Sequence, residues 1–389
     1  MINWITFKNF LKLLVYIFLV SAIIYFSIGV IQKKNNLMDI EEYSPKSSLV
    51  VEENPRKSAK FPFVDVHSHQ WKMPGMDFTN LIAEMDSLNM GYMINLSGSG
   101  FATFAGNQSL MDVSLTKSLE NIKKQGVSNR FGVFVNIDFN KIDDPDFGTN
   151  NVEIIKDAVK QGVIGLKVYK NLGLNLRDNS GERVKVDDKR LNPIWEICGE
   201  LNIPVLIHSG EPSPFFDPID KYNERWLHAR QKPQSFRNSD EYPSFDEVMQ
   251  EQYNMFKKNP KTTFINAHLG WYGNDLDKMS AQLDDLPNVY TEIGAVIAEL
   301  GRQPIRARKF FVEHQDRVLF GKDTYKKSEF DVYFRILETS DEYFDYYRKR
   351  HAHWKMYGLN LPDSILKKLY YKNARKLFPN IPLELFESN

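Results

Sequence analysis

From Phe61 onward, short apolar, β-branched runs alternate with longer segments in which apolar residues recur three or four positions apart. The short runs predict parallel strands that are covered on both faces, and the wider spacing predicts helices with one buried face. The predicted strands span residues 61–66, 91–96, 130–137, 163–169, 203–208, 262–267, 288–293 and 317–321. The clearest helical patterns span residues 152–161, 191–201, 245–258 and 304–313.

Eight strands that alternate with helices predict an α/β fold, a (β/α)8 TIM barrel with insertions. A doubly wound open sheet is the alternative, although no GxGxxG or P-loop motif follows an early strand. The last stretch, residues 341–386, is expected to be helical and to pack on the outside of the barrel.

The N-terminal segment differs from the rest of the chain. Residues 13–31 form an uncharged apolar run, close to the roughly 20 residues that a helix needs to cross a bilayer. Its apolar core is long for a secretory signal and lacks a small-residue cleavage site. We therefore predict an uncleaved N-terminal transmembrane anchor at residues 1–34, a polar linker at 35–60 and the barrel at 61–380. Lysines flank both ends of the run, so the positive charges do not favour one orientation; we expect the barrel on the extracytoplasmic side.

The composition is that of an ordinary globular protein, with 42% hydrophobic residues and a formal net charge of zero. A chain that neutralises phosphates is usually more basic, so we expect no nucleic-acid partner. The single cysteine, Cys198, excludes an intramolecular disulfide.

The most informative chemistry lies at the ends of the predicted strands. His67 and His69 stand two positions apart at the end of the first strand, so both side chains point to the same face. His208, His268 and Asp323 each end a later strand pattern. Because the carboxyl ends of barrel strands meet at one rim, these five residues are expected to converge there.

Imidazole nitrogens and a carboxylate oxygen are typical zinc ligands, and catalytic sites leave one position open for water. We therefore predict that His67, His69, His208 and Asp323 bind one divalent metal ion, with Zn²⁺ first and Mn²⁺ or another ion as alternatives. Asp323 is also the expected proton acceptor, and His268 would orient the water or stabilise charge on the substrate.

The chain resembles the amidohydrolase superfamily in several ordered motifs. The closest resemblance is to the branch with amidohydrolase-related hydrolases and aminocarboxymuconate-semialdehyde-type decarboxylases. The motifs are VDVHSHQW (64–71), GLKVYK (165–170), IPVLIHSGEP (203–212), FINAHLGWY (264–272), VLFGKDTY (318–325) and YYKNARKLF (370–378). The resemblance implies a metal-dependent barrel enzyme whose ligands match His67, His69, His208 and Asp323. It also implies that His268 assists catalysis.

Two lysines need separate comment. Some superfamily members carry a carbamylated, metal-bridging lysine where Lys167 stands, but the surrounding motif resembles single-metal members. A pocket contact, or a pairing with Glu211 or Glu292, is the favoured interpretation of Lys167. Lys322 precedes Asp323 where a small residue is common in the family, and a cation there would influence the pocket or the basicity of the aspartate.

A long connection, residues 211–244, follows the fifth strand and has little regular pattern. Long irregular connections of this kind are often lids or binding loops, and its position places it at the mouth of the barrel. The expected substrate contacts, from this segment and from the strand ends, are Lys167, Glu211, Arg225, Trp226 and Glu292.

The leading hypothesis is a membrane-tethered hydrolase in which a metal-activated water attacks an amide, ester or lactone carbonyl of a small molecule. The alternative is a metal-dependent decarboxylase of a small unsaturated or aromatic carboxylic acid, whose carboxylate Arg225, Arg230 or Arg237 would bind. A non-catalytic, membrane-tethered binding module is the third alternative. The sequence leaves open whether the chain forms a homodimer.

Overall fold

The computed structural model describes residues 4–35 and 38–387. Residues 1–3 of the predicted anchor and residues 36 and 37 of the predicted linker lie outside the described residues. The chain divides into two compact units, Met1–Val50 and Val51–Asn389.

The N-terminal unit contains one long helix, α1 (Trp4–Asn35). Its segment Lys8–Ile28 is long and apolar enough to cross a membrane, with a mean hydropathy of 2.3. A signal sequence near an N-terminus meets the same criterion. Length and composition therefore agree with an anchor without distinguishing it from a signal sequence.

The second unit is a barrel of eight parallel strands that follow one another in chain order around the sheet. The strands are β1 (Phe63–Ser68), β2 (Met90–Asn95), β3 (Phe131–Val135), β4 (Gly165–Val168), β5 (Val205–Ile207), β6 (Phe264–Asn266), β7 (Val289–Glu292) and β8 (Val318–Leu319). All eight predicted strands are present, so the predicted (β/α)8 barrel is confirmed and the open-sheet alternative is wrong.

Helices follow the strands and cover the outside of the barrel. The longer ones are α2 (Thr79–Leu88), α3 (Gln108–Lys124), α4 (Phe147–Lys160), α6 (Asn192–Glu200), α8 (Phe245–Lys258), α9 (Leu276–Asp285), α11 (Pro304–Glu313) and α12 (Phe330–Glu338). Shorter helices are α5 (Asn171–Leu174), α7 (Trp226–Gln231), α10 (Ile297–Gly301), α13 (Asp363–Lys367) and α14 (Asn373–Leu377). The start of α8 is fixed by a capping box, in which Ser244 and Glu247 bond each other's backbone amides.

β8 closes the barrel against β1. The amide of Val66 donates to the carbonyl of Phe320, and the amide of Asp323 donates to the carbonyl of His67. Ser68 and Asp323 form a further parallel bridge. The end of β1 and the segment after β8 therefore lie side by side at the rim.

The C-terminal segment agrees with its prediction only in part, because residues 363–377 are helical and the residues before them are not. Residues 341–362 contain no helix; instead Phe344 and Met356 exchange backbone hydrogen bonds in an antiparallel bridge. Apolar helical spacing alone cannot separate a helix from an irregular segment whose aromatic side chains pack one by one. Further on, Ala374 and Phe378 do not pack outside the barrel: they join the buried cluster formed by alternate strand residues such as Ile94.

Candidate metal centre and active-site cleft

His67 in β1, His69 just after β1 and the aspartate after β8 come together at the C-terminal rim of the barrel. Nε2 of His67 and Nε2 of His69 each lie 3.5 Å from Oδ1 of Asp323. His67 is fully buried, whereas the other two side chains are partly exposed. These three residues form one of the groups whose ligand atoms are close enough to share an ion.

The backbone around this group adopts left-handed conformations. Asp323 has φ 74°, and His268, Leu269 and Trp271 have φ between 53° and 59°. A non-glycine residue in this region costs about 1–3 kcal/mol and persists only where the surroundings hold it. The amide of Asp323 is held by the carbonyl of His67 at 2.6 Å, which fixes the direction of the aspartate.

A buried carboxylate orients His67. Oε1 of Glu292, at the end of β7, lies 2.9 Å from Nδ1 of His67 and accepts the amide of His268 at 2.7 Å. Its other oxygen accepts the amide of Gly294. Because the carboxylate acts as the acceptor, Nδ1 of His67 carries the proton and Nε2 keeps its lone pair.

A hydroxyl chain orients His69 in the same way. The hydroxyl of Tyr169 donates to the carbonyl of Leu96, which leaves the hydroxyl of Ser97 to donate to Tyr169 at 3.1 Å. Oγ of Ser97 then accepts Nδ1–H of His69 at 2.7 Å. Nε2 of His69 is again the free lone pair.

His208 is oriented by His268. Nδ1 of His268 lies 2.7 Å from the carbonyl of Gly294, which can only accept, so Nδ1 is protonated. Nε2 of His268 therefore accepts Nδ1–H of His208 at 3.3 Å. This leaves Nε2 of His208 with a lone pair. The structure thus brings His208 against His268. Besides the group of His67, His69 and Asp323, the described residues contain one more close group of metal-binding residue types, His67, His268 and Glu292.

The protonation states fit a divalent cation. Burial lowers the pKa of His67 and His208 well below 6.5 and that of His69 to about 3. Burial alone would raise the pKa of Asp323, but the surrounding histidines and Lys167 outweigh it and lower this pKa to about 2. Nε2 of His67 and Nε2 of His208 are buried without a hydrogen-bond partner. An ion held by His67, His69 and Asp323 would satisfy Nε2 of His67, which is costly to bury unpaired, whereas His208 is in neither close group of ligand atoms among the described residues.

Lys167 lies within the same electrostatic environment. It is buried on β4, its Nζ has no hydrogen-bond partner among the described residues, and Nζ stands 5.4 Å from the centre of the Tyr169 ring. Burial lowers the pKa of Lys167 to about 8, although Asp323 and Glu292 favour the charged form. The predicted pairing with Glu211 or Glu292 is not among the ion pairs of the described residues.

The rim opens into a cleft of about 930 Å³. Three of the predicted ligands line it: His69, His208 and Asp323. Trp71 stacks on His69 with ring centroids 5.1 Å apart, and Phe104 packs on Trp71 at 4.8 Å. The ring of Tyr169 stands 5.8 Å from His69. One wall of the cleft is therefore aromatic and begins at a predicted ligand.

The predicted substrate contacts lie in different places, none of them among the residues that line this cleft. Lys167 and Glu292 are buried behind the rim, and Glu211 is buried next to two cations of the cleft. Arg225 is buried against Glu299, and the neighbouring Trp226 begins α7.

The connection of residues 211–244 packs against the C-terminal segment. Arg225 donates to the carbonyl of His351, and the rings of His228 and His351 stack with centroids 4.9 Å apart. From this connection, Arg237 lines the cleft. Sequence reasoning missed Ser97 and Lys170 as site residues, although both follow a predicted strand end in the same way as the histidines.

The chain matches the family model described as amidohydrolase over residues 135–379, more than half of its length. It therefore belongs to the amidohydrolase family, as its motifs predict. The match includes His208, His268 and Asp323 and begins after His67 and His69. No curated protein matches the chain significantly.

Solved structures share the fold at low sequence identity. The crystal structure of 2,6-dihydroxybenzoate decarboxylase complexed with 2,6-dihydroxybenzoate is 14% identical, with a TM-score of 0.52 over 82% of this chain and 99% of that one. Dihydroxybenzoic acid decarboxylase from Polaromonas sp. JS666, with bound manganese and the inhibitor 2-nitroresorcinol, is 14% identical, with a TM-score of 0.52 over 84% and 100%. An amidohydrolase II structure is 15% identical, with a TM-score of 0.51 over 82% and 100%. At these identities the likeness concerns the fold alone.

Proposed function

We propose that this chain is a metal-dependent hydrolase that cleaves an amide, ester or lactone bond of a small molecule. One divalent ion, Zn²⁺ first and Mn²⁺ as the alternative, would be held by His67, His69, His208 and Asp323. The observation that carries the proposal is the approach of His67 and His69 to Oδ1 of Asp323 beside an open cleft. When bound, the ion would lower the pKa of a water molecule and polarise the substrate carbonyl.

The side chains divide the remaining work. Asp323, whose pKa is lowered to about 2, is ionised at neutral pH, so one carboxylate oxygen can accept the proton of the attacking water. His268 holds the imidazole of His208 in the tautomer that leaves Nε2 free. Trp71 and Phe104 would exclude water from one side of the substrate.

A second candidate is decarboxylation of an aromatic carboxylic acid. Two observations favour it: Lys170 and Arg237 place positive charge in the cleft, and Trp71 offers a planar face beside His69. The resemblance of the fold to dihydroxybenzoate decarboxylases is consistent with this reaction.

A substrate screen tests the two candidates. The full chain, loaded with Zn²⁺ or Mn²⁺, is assayed against aryl esters, lactones, anilides and hydroxybenzoates. Proton release in a weakly buffered solution reports hydrolysis, and trapped CO₂ reports decarboxylation. We expect ester or lactone turnover that Asp323→Asn abolishes. CO₂ release without hydrolysis would replace the leading proposal with the second, and a metal-loaded protein that turns over neither class would favour the binding module.

We further propose that the helix segment Lys8–Ile28 anchors the enzyme in a membrane, with the barrel on the extracytoplasmic side. The support is the length and hydropathy of the segment. Carbonate extraction of membranes tests the anchor, because an anchored chain stays in the pellet and a cleaved one is released. A homodimer stays a prediction.

A further inference from the structure

A buried carboxylate joins two cations at the edge of the cleft. Oε1 of Glu211 accepts Nζ of Lys170 at 2.6 Å and Nη2 of Arg237 at 3.1 Å. Both cations line the cleft, whereas Glu211 is almost fully buried. Two positive charges share one negative charge here, so the cluster presents excess positive charge to the cleft.

The guanidinium of Arg237 is held in place by its own segment. Nη1 donates to the carbonyls of Gln234 and Phe236, both at 2.9 Å, and the group stacks 5.0 Å over the ring of Tyr242. Nε of Arg237 is buried and has no hydrogen-bond partner. These contacts fix the guanidinium and leave one N–H of Nη2 for a ligand, so Arg237 can offer one charge-assisted hydrogen bond to an anion in the cleft.

Lys170 is the more accessible of the two cations. Its side chain is 44% exposed, compared with 12% for Arg237. Lys170 can therefore turn from Glu211 towards a ligand without breaking buried packing. Asp138 also lines the cleft, from the loop after the neighbouring strand β3; its Oδ1 accepts the amide of Asn140, and its Oδ2 is buried without a hydrogen-bond partner.

The order of the strands places this cluster beside His208 and across the mouth of the barrel from the other predicted metal ligands. Lys170 follows β4 and Glu211 follows β5 on the same loop as His208. His67 lies in β1, His69 follows it, and Asp323 follows β8. A ligand with its reacting group at these residues can therefore extend across the cleft and reach Lys170 and Arg237, which line the same cavity.

We propose that Lys170 and Arg237, held by Glu211, form an anion subsite for a carboxylate that the substrate carries in addition to its reacting carbonyl. The inference rests on the proposed function in one respect, because it places the substrate in the same cleft. It narrows the substrate class to small molecules with an anionic group.

Binding of unreactive probes tests the subsite. The zinc-loaded full chain is titrated calorimetrically with benzene-1,3-dicarboxylate, benzoate and benzamide. We expect the dicarboxylate to bind about tenfold more tightly than benzoate, a difference of about 1.4 kcal/mol. Lys170→Gln and Arg237→Gln should each remove most of that difference and leave benzamide binding unchanged. An unchanged difference in both variants, or no preference for the dicarboxylate in the wild type, overturns the subsite.

The controls separate this inference from the proposed function. Lys156→Gln and Arg306→Gln remove surface cations that pair with Glu153 and Asp277, and they should leave all three affinities unchanged. If Arg237→Gln does not fold, the titration of Lys170→Gln still tests the subsite, because the side chain of Lys170 is partly exposed. Because binding needs no turnover, cluster-dependent dicarboxylate binding without hydrolysis contradicts the proposed function alone. Equal hydrolysis of matched neutral and anionic esters contradicts the subsite alone.

Discussion

The backbone amide of Asp323 donates a hydrogen bond of 2.6 Å to the backbone carbonyl of His67. The same contact closes the barrel between β8 and β1 and sets the left-handed turn at Asp323. Because backbone atoms form this bond, it persists when the aspartate side chain is changed. A substitution of the Asp323 side chain can therefore test the role of the carboxylate without moving the backbone that places it.

Asp323→Asn should keep the fold and weaken zinc binding. The amide side chain has nearly the same shape but removes the negative charge that faces Nε2 of His67 and His69. We expect at least a tenfold loss of zinc affinity, measured by competition with a chromogenic chelator. Asp316→Asn is the matched control, since Asp316 is an exposed partner of Lys368. Equal zinc affinity in both variants would remove Asp323 from the ligand set.

His208→Ala and His268→Ala should weaken zinc binding to different degrees. Loss of His208 removes a donor atom, whereas loss of His268 removes only the acceptor that fixes the tautomer of His208. Loss of an orienting partner typically costs about 10- to 100-fold in metal affinity, and loss of a ligand costs more. Zinc titrations of both variants check the order. Wild-type affinity in His208→Ala would show that this residue is not a ligand.

The sequence reveals which residues stand at the strand ends of the site, but not which of their side chains contact each other. His67 and His69 could be found from a spacing of two on one strand, and the barrel fold then places His208, His268 and Asp323 at the same rim. The orienting contacts could not be found in this way. Which acceptor meets which ring nitrogen, as Glu292 and Ser97 do, depends on side-chain directions that periodicity does not contain.

Glu292→Gln tests one of these orienting contacts. The carboxylate accepts Nδ1–H of His67 and the amides of His268 and Gly294, all in a buried position. A glutamine presents an NH₂ group to one of these donors, so we expect a loss of about 1–3 kcal/mol in the free energy of unfolding. Zinc affinity should also fall about 10- to 100-fold, because His67 loses its orienting acceptor. Urea unfolding and chelator competition measure the two effects. Unchanged zinc affinity would limit Glu292 to a structural role.

Lys322 lies outside the wall of the cleft; its ammonium still interacts electrostatically with Asp323, but its direct partner is Glu329. Its ammonium is buried away from the cleft, 2.9 Å from Oε2 of Glu329 and 3.1 Å from the carbonyl of Thr324. Glu329 is also bound by Arg348. The cation therefore ties the turn after Asp323 to the start of α12, a role that adjacency in sequence could not reveal.

Lys322→Met should destabilise the fold without changing zinc affinity. Glu329 keeps Arg348 as a partner, so we expect a loss of about 1–3 kcal/mol in the free energy of unfolding. Lys326→Met is the matched control, because Lys326 is exposed and stands 3.8 Å from the same carboxylate. Urea unfolding of both variants gives the comparison. A large drop in zinc affinity in Lys322→Met alone would mean that this lysine shapes the ligand set after all.

The contact between His351 and His228 should make stability depend on pH. Burial, with Arg225 next, lowers the pKa of His351 to about 2 and that of His228 to about 4, from 6.5. Arg348 and Arg350 also oppose protonation of His351. In the unfolded chain both histidines take up a proton as the pH falls through 6.5, whereas in the folded chain they stay neutral. At these two histidines the unfolded state therefore binds more protons, so they contribute a fall in the free energy of unfolding as the pH decreases below 6.5.

His351→Phe keeps an aromatic ring against His228 and removes one of these protons. We expect the free energy of unfolding to depend less steeply on pH between 6.5 and 4, by at most about 1.4 kcal/mol per pH unit. Urea unfolding at several pH values measures the slope, and His353→Phe, an exposed histidine in the same segment, is the control. The difference between variant and wild type isolates this residue, because His67, His69 and His208 titrate alike in both proteins. Parallel pH profiles would mean that His351 is already solvated in the folded protein, and the connection of residues 211–244 would then not be held by this stack.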